Sequence, residues 1–172
     1  MRNADRALDA LRQATPEQIV VANDQRATGW FPGERVVEDA EDGLGPLAGI
    51  ATALEATRGA AVIVVAWDMP FVPGSLLIAL RQRAARGAIA VVPLHGAAGV
   101  IEPLCAYYAA AALDTCRSLL AGGERRASAL AEALGGAEYL GGDELRSFGD
   151  PERMFISVDS PEQLAALDGR LD

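Results

Sequence analysis

Apolar and polar positions fall in short blocks whose spacing switches between helical and extended along the chain. Ala7, Leu8 and Leu11 share one face at helical spacing and predict an amphipathic helix over 5–14. Residues 18–22 and 35–38 read as short β-branched strands. Gly43-Leu44-Gly45-Pro46 is a turn that opens a helix running to about Thr57, with proline at a favoured first position. Val62-Ile63-Val64-Val65 is a continuous apolar strand of the kind covered on both faces. A helix is predicted from Gly74 to Arg86 and a strand over 88–93. Residues 100–105 look extended, with Pro103 marking an edge or a bulge. Helices over 107–120 and 125–134, short strands at 138–140 and 155–158, and a helix capped by Ser160-Pro161-Glu162-Gln163 complete the series. This alternation predicts a three-layer α/β fold around a mostly parallel sheet, with nothing to divide the 172 residues into two domains.

Composition narrows the function classes. The formal net charge is −9, which argues against binding a nucleic-acid polymer but not against a small anionic ligand. No apolar run has the roughly 18–20 residues of a membrane span, and no signal-peptide pattern opens the chain, so a cytoplasmic location is expected. Every basic residue is arginine. Cys105 and Cys116 lack metal or redox spacing and read as buried thiols, and the single histidine, His95, cannot make a zinc site alone.

In sheets of this class ligands sit beyond the carboxyl ends of the strands. The residues at those ends are Asn23-Asp24, Asp39, Asp68 and Asp159. Asx residues there also serve as turn formers and caps, so each alone says little. Asp68 is the sharpest candidate, because a very hydrophobic strand positions it and Pro70 ends that strand just beyond it. A carboxylate so placed suits Mg²⁺ and phosphate chemistry.

These segments together resemble the molybdenum cofactor guanylyltransferases, a branch of the Rossmann-like nucleotidyltransferases. The resemblance runs in order through Val20-Val21-Ala22-Asn23, Asp39, Gly45-Pro46-Leu47-Ala48-Gly49, Asp68-Met69-Pro70, Glu102-Pro103-Leu104, Gly123-Glu124-Arg125-Arg126 and Ser157-Val158-Asp159. It implies transfer of GMP from GTP to molybdopterin. Asp68 would hold Mg²⁺, while Asn23, Asp39 and the Gly45-Pro46-Leu47 to Gly49 turn would serve the nucleotide. Glu102, Arg125 and Arg126 would line the pterin side, and Asp159 would lie near the phosphates. Cofactor-maturation proteins or a molybdoenzyme would be further partners. A related cytidylyl or sugar-nucleotide transferase, and a non-catalytic assembly module, remain alternatives.

The family's opening strand, its glycine-rich loop with an Arg-Met-Gly element, and a later Asp-Lys pair have no counterpart in this sequence. The chain is therefore expected to be an N-terminally incomplete domain that lacks a central strand. An internal start, a fragment, a paralogue without turnover and complementation by another chain all fit that expectation.

Overall fold

The structure, a computed structural model, describes residues 2–24, 26–38 and 45–169. Helix α1 (Asn3–Ala14) leads to β1 (Ile19–Val21), a short α2 (Ala27–Trp30) and β2 (Arg35–Val37). Then follow α3 (Pro46–Ala56), β3 (Val62–Val65), α4 (Gly74–Ala84), β4 (Ala90–His95), β5 (Val100–Ile101) and β6 (Cys105–Tyr108). The C-terminal part holds α5 (Ala112–Ala121), α6 (Ala127–Ala133), β7 (Ala137–Gly141), α7 (Gly142–Arg146), α8 (Pro151–Met154) and α9 (Pro161–Asp168).

The sheet is layered as expected. Successive side chains of a strand face opposite sides. In β4, Val91 joins one core with Leu76, Leu77 and Leu80 of α4, while Ala90 and Val92 join a second core with Leu47, Ile50 and Leu54 of α3. Strand β6 divides the same way, with Cys105 in the first core and Ala106 and Tyr108 in the second. Helices therefore cover both faces.

Strand direction corrects the expected mostly parallel sheet, because β5 and β6 both run antiparallel to their neighbours. β1 pairs with β2 in parallel, and β4 with β7 in parallel. β6, however, lies between β3 and β4 and runs against both. It runs from Cys105, the end of the segment expected to be extended, through Tyr107 and Tyr108, which were expected to begin a helix that in fact starts at Ala112. Buried aromatic residues favour a strand covered on both faces, and the Tyr108 hydroxyl is satisfied by the Pro103 carbonyl at 2.8 Å.

β5 and β6 are two pieces of one edge along β4, and their pairing register slips by three residues across Glu102-Pro103-Leu104. Pro103 thus marks a bulge, as its sequence position suggested. Residues 155–158, expected as a strand, pair with no strand among the described residues. Instead the Val158 amide donates to the Asp68 carbonyl at 2.9 Å.

β1–β2 forms a sheet separate from the other five strands. Helix α3 packs on both β1 and β3 and so spans the division. The run expected to be a buried central strand, Val62–Val65, is only half-buried at all four positions, and so is Ile19–Val21.

Candidate active site

The turn after β3 is built from local bonds. The Met69 amide returns to the Ala66 carbonyl at 3.2 Å, and the buried Met69 side chain anchors the turn in the α4 core. Asp68 is left half-buried between them. Its Oδ2 accepts from Ser157 Oγ at 2.5 Å. Asn3, at the start of α1, donates its side-chain amide to the Val158 carbonyl. Three bonds thus join the β3 turn, the 155–158 segment and the start of α1 beside this carboxylate. No arginine pairs with Asp68 or Asp159 among the described residues. Asp159 is exposed, and its own amide donates to Gln163 Oε1 at 3.0 Å, which fixes the entry to α9.

Beside this rim lies a cavity of about 970 Å³, lined by Ala22-Asn23-Asp24, Trp67, Asp159 and Ser160 together with residues 2–5. Asn23 and Asp159 are thereby brought to one opening. Asp24 is not free for a ligand. It accepts from the Arg26 backbone and guanidinium, which holds its carboxyl down at about 2. Trp67 is 63% exposed, a large aromatic wall directly before Asp68.

The glycine-proline turn has a structural reason. Gly45 sits at φ 76° and ψ −175°, a conformation that only glycine adopts without strain. A Cβ there would lie 3.0 Å from the Arg125 carbonyl oxygen. Leu47 donates its amide to that same oxygen at 3.2 Å, and its side chain is wholly buried. The expected ligand contact from Leu47 is therefore corrected: its amide and side chain are both engaged within the protein. Pro46 is exposed and has no amide to offer. Gly49 lies within α3 with open space where a side chain would be. Asp39, Gly43 and Leu44 lie outside the described residues.

The two arginines expected on the pterin side separate. Arg125 donates its guanidinium to the Leu120 and Glu124 carbonyls, closing the end of α5. This contact through one guanidinium nitrogen helps to hold the fold. Arg126 is exposed and held by Glu124, whose carboxyl also accepts both backbone amides and is pulled down to about 2. The Arg126 fork remains solvent-facing.

Sequence reasoning missed one pair. The bulge at Pro103 turns Glu102 inward, where its carboxylate meets His95 Nε2 at 2.7 Å. Burial pushes the Glu102 carboxyl up, against the pull of His95. His95 stacks at 5.0 Å on Phe155, and its Nδ1 is buried without a partner among the described residues. The seven-residue separation of two polar groups in facing strand ends was the available signal.

No group of three or more acidic, histidine or cysteine side chains gathers as a metal cage among the described residues. A site of one carboxylate and a hydroxyl suits a hard ion whose remaining ligands are water and phosphate oxygens. No helix among the described residues is long and apolar enough to cross a membrane.

A layered α/β sheet with an aspartate at its strand-end rim is the arrangement in which a nucleotidyltransferase would place its ligand. Residues 2–137 match the family model of the MobA-like NTP transferase domain, and the chain belongs to that family. It is 32% identical over 168 residues to a Chloroflexus aggregans protein named "Probable molybdenum cofactor guanylyltransferase", covering 97% of this chain and 79% of that one. It is 32% identical over 149 residues to the molybdenum cofactor guanylyltransferase of Pseudomonas putida KT2440, covering 84% and 77%. The solved molybdopterin-guanine dinucleotide biosynthesis protein A of Archaeoglobus fulgidus superposes with a TM-score of 0.76 at 27% identity, covering 96% of this chain and 85% of that one. The Thermus thermophilus 2-C-methyl-D-erythritol 4-phosphate cytidylyltransferase, at 18% identity and TM-score 0.66, covers 98% of this chain and 88% of that one and shares the fold.

Proposed function

We propose that this chain transfers GMP from GTP to molybdopterin, giving the guanine dinucleotide form of the molybdenum cofactor. An oxygen of the molybdopterin terminal phosphate attacks the α-phosphorus of GTP. A new phosphoanhydride bond forms, and the bond to the pyrophosphate oxygen breaks. The supporting observation is Asp68: a carboxylate without an arginine partner among the described residues, held by the Ser157 hydroxyl, with its backbone carbonyl bonded to the Val158 amide and its chain neighbour Trp67 lining a cavity of about 970 Å³.

Mg²⁺ is the proposed cofactor, and when bound it offsets charge on the phosphate oxygens. Asp68 holds it, with Ser157 orienting the carboxylate. Asn23, Asp39 and the open side of Gly49 serve the nucleotide, and Asp159 stands beside the phosphates. Arg126 and Glu102 serve the acceptor. The protein's part is positioning and fixed charge rather than covalent chemistry.

Pyrophosphate release from GTP in the presence of molybdopterin tests the reading, with CTP as the competing nucleotide. Asp68→Ala lowers the rate by about a hundredfold or more. Equal rates with CTP, or an unchanged rate in Asp68→Ala, would sink it. The divided sheet favours one second reading, a binding module without turnover. Calorimetry separates the two: GTP binding with no pyrophosphate release identifies the module.

A further inference from the structure

Residues 156–158 belong to no helix or strand, so single contacts set their place. At one end Ser157 and the Val158 amide bond to Asp68. At the other end Phe155 is buried in the α4 core, with the His95 ring against it at 5.0 Å between centroids and 37° between planes. His95 is the last residue of β4, and its side chain is only 12% exposed. Its Nδ1 is buried without a partner among the described residues, so the 2.7 Å bond between Nε2 and Glu102 is the ring's one hydrogen bond there. Glu102 is itself firmly placed. Its amide donates to the Pro93 carbonyl at 3.0 Å, and its carbonyl accepts from the Cys105 amide at 3.0 Å. The chain's only histidine therefore joins a fixed carboxylate in the bulge to a segment with no ladder of its own.

We infer, on the reading of Asp68 as the carboxylate that holds the metal, that His95 is a positioning residue. Glu102 holds its ring, the ring braces Phe155, and Phe155 sets Ser157 against the Asp68 carboxylate. Imidazole suits this task. It is planar, so a hydrogen bond at one edge fixes the direction of its face, and 5.0 Å is a separation at which tilted ring pairs attract. Glutamine at this position would keep the bond and lose the face. Phenylalanine would keep the face and lose the bond. A displacement of about 1 Å at a reacting group costs about a hundredfold in rate, so a slack brace is felt at Asp68 as a loss of about tenfold.

Amide exchange on the whole chain, without nucleotide or metal, tests the brace directly. His95→Ala speeds exchange of the Val158 amide by about tenfold, while the Ile50 and Leu54 amides of the other core stay within about threefold of the parent. Glu102→Leu releases the ring and has the same effect, and it serves if His95→Ala does not fold. Glu102→Gln keeps an acceptor for Nε2 and keeps the parent exchange rate. In pyrophosphate release, His95→Ala lowers kcat by about tenfold at unchanged KM for GTP. It adds nothing further to Ser157→Ala, since both act through one contact. Unchanged Val158 exchange in His95→Ala and Glu102→Leu overturns the inference. So does faster exchange at Val158, Ile50 and Leu54 alike, which a general loss of stability produces, and so does full additivity of the His95 and Ser157 effects. A parent that releases no pyrophosphate fails the guanylyltransferase reading instead, and the exchange result then decides the brace by itself.

Discussion

Gly45 and Gly49 stand four residues apart in one motif, and substitution to alanine is expected to have opposite effects. At Gly45, alanine must adopt φ 76° and ψ −175°, a region that costs a non-glycine residue about 1–3 kcal/mol. The new Cβ meets the Arg125 carbonyl oxygen at 3.0 Å and the Arg125 Cβ at 3.2 Å. Moving that carbonyl loosens the Leu47 amide bond, worth about 1 kcal/mol. Gly45→Ala is therefore expected to destabilise by about 2–4 kcal/mol, a large share of the roughly 5–15 kcal/mol typical of a domain. With a urea slope of about 2 kcal/mol per molar, the midpoint falls by about 1–2 M. At Gly49 nothing lies within 4 Å of an added Cβ, and alanine is the better helix former by about 0.5–1 kcal/mol. Gly49→Ala therefore raises the midpoint. Urea unfolding followed by tryptophan fluorescence reads both. A Gly45→Ala midpoint within about 0.3 M of the parent, at the same slope, would refute the argument. So would Gly49→Ala as the more damaging change.

The remaining predictions address the rim, the buried pair and the core. Ser157→Ala frees one oxygen of Asp68 to wander, so pyrophosphate release falls by about tenfold while the urea midpoint holds within about 0.3 M; an unchanged rate argues against Ser157 as a positioning residue. Burial raises the folded carboxyl of Glu102 above its unfolded value, so the folded state binds more protons between the two values and stability falls as pH rises through that window. Glu102→Gln removes that downward slope, and urea midpoints taken across the acid range check it. Tyr108→Phe leaves the Pro103 carbonyl without its donor and costs about 1 kcal/mol, read as the change in urea midpoint at constant slope. Cys105 and Cys116 are buried and burial pushes both thiols up, Cys116 to about 11; neither reacts with a thiol reagent at pH 8 until the chain unfolds.

Most of the helices and strands were legible because burial leaves a period in the sequence. Leu47, Ile50 and Leu54 recur at helical spacing and occupy one core. Val62–Val65 was rightly read as a strand, yet its half-exposure was invisible, because a strand's neighbours are set elsewhere in the chain. β6 was hidden too: Tyr107 and Tyr108 were read into the following helix, and only pairing with β3 and β4 makes them a strand and sets its direction. At the site, Asp68 was legible from a hydrophobic strand ending at Pro70. The roles of Leu47 and Arg125 were not, since a 3.2 Å bond between them joins residues nearly eighty positions apart. His95 and Glu102 escaped because the register slip at Pro103 brings them together.

The antiparallel insertion of β6 also sets an order of events during synthesis. β3 pairs with a strand about forty residues further along, Val65 opposite Cys105. At about 5–20 residues per second, the four β-branched residues of β3 leave the ribosome some seconds before their only partner among the described strands. For that interval both edges of β3 are open. The nascent chain between residues 65 and 105 is then a holdase substrate, and slowing translation over that stretch is expected to lower the soluble yield more than slowing it after residue 110.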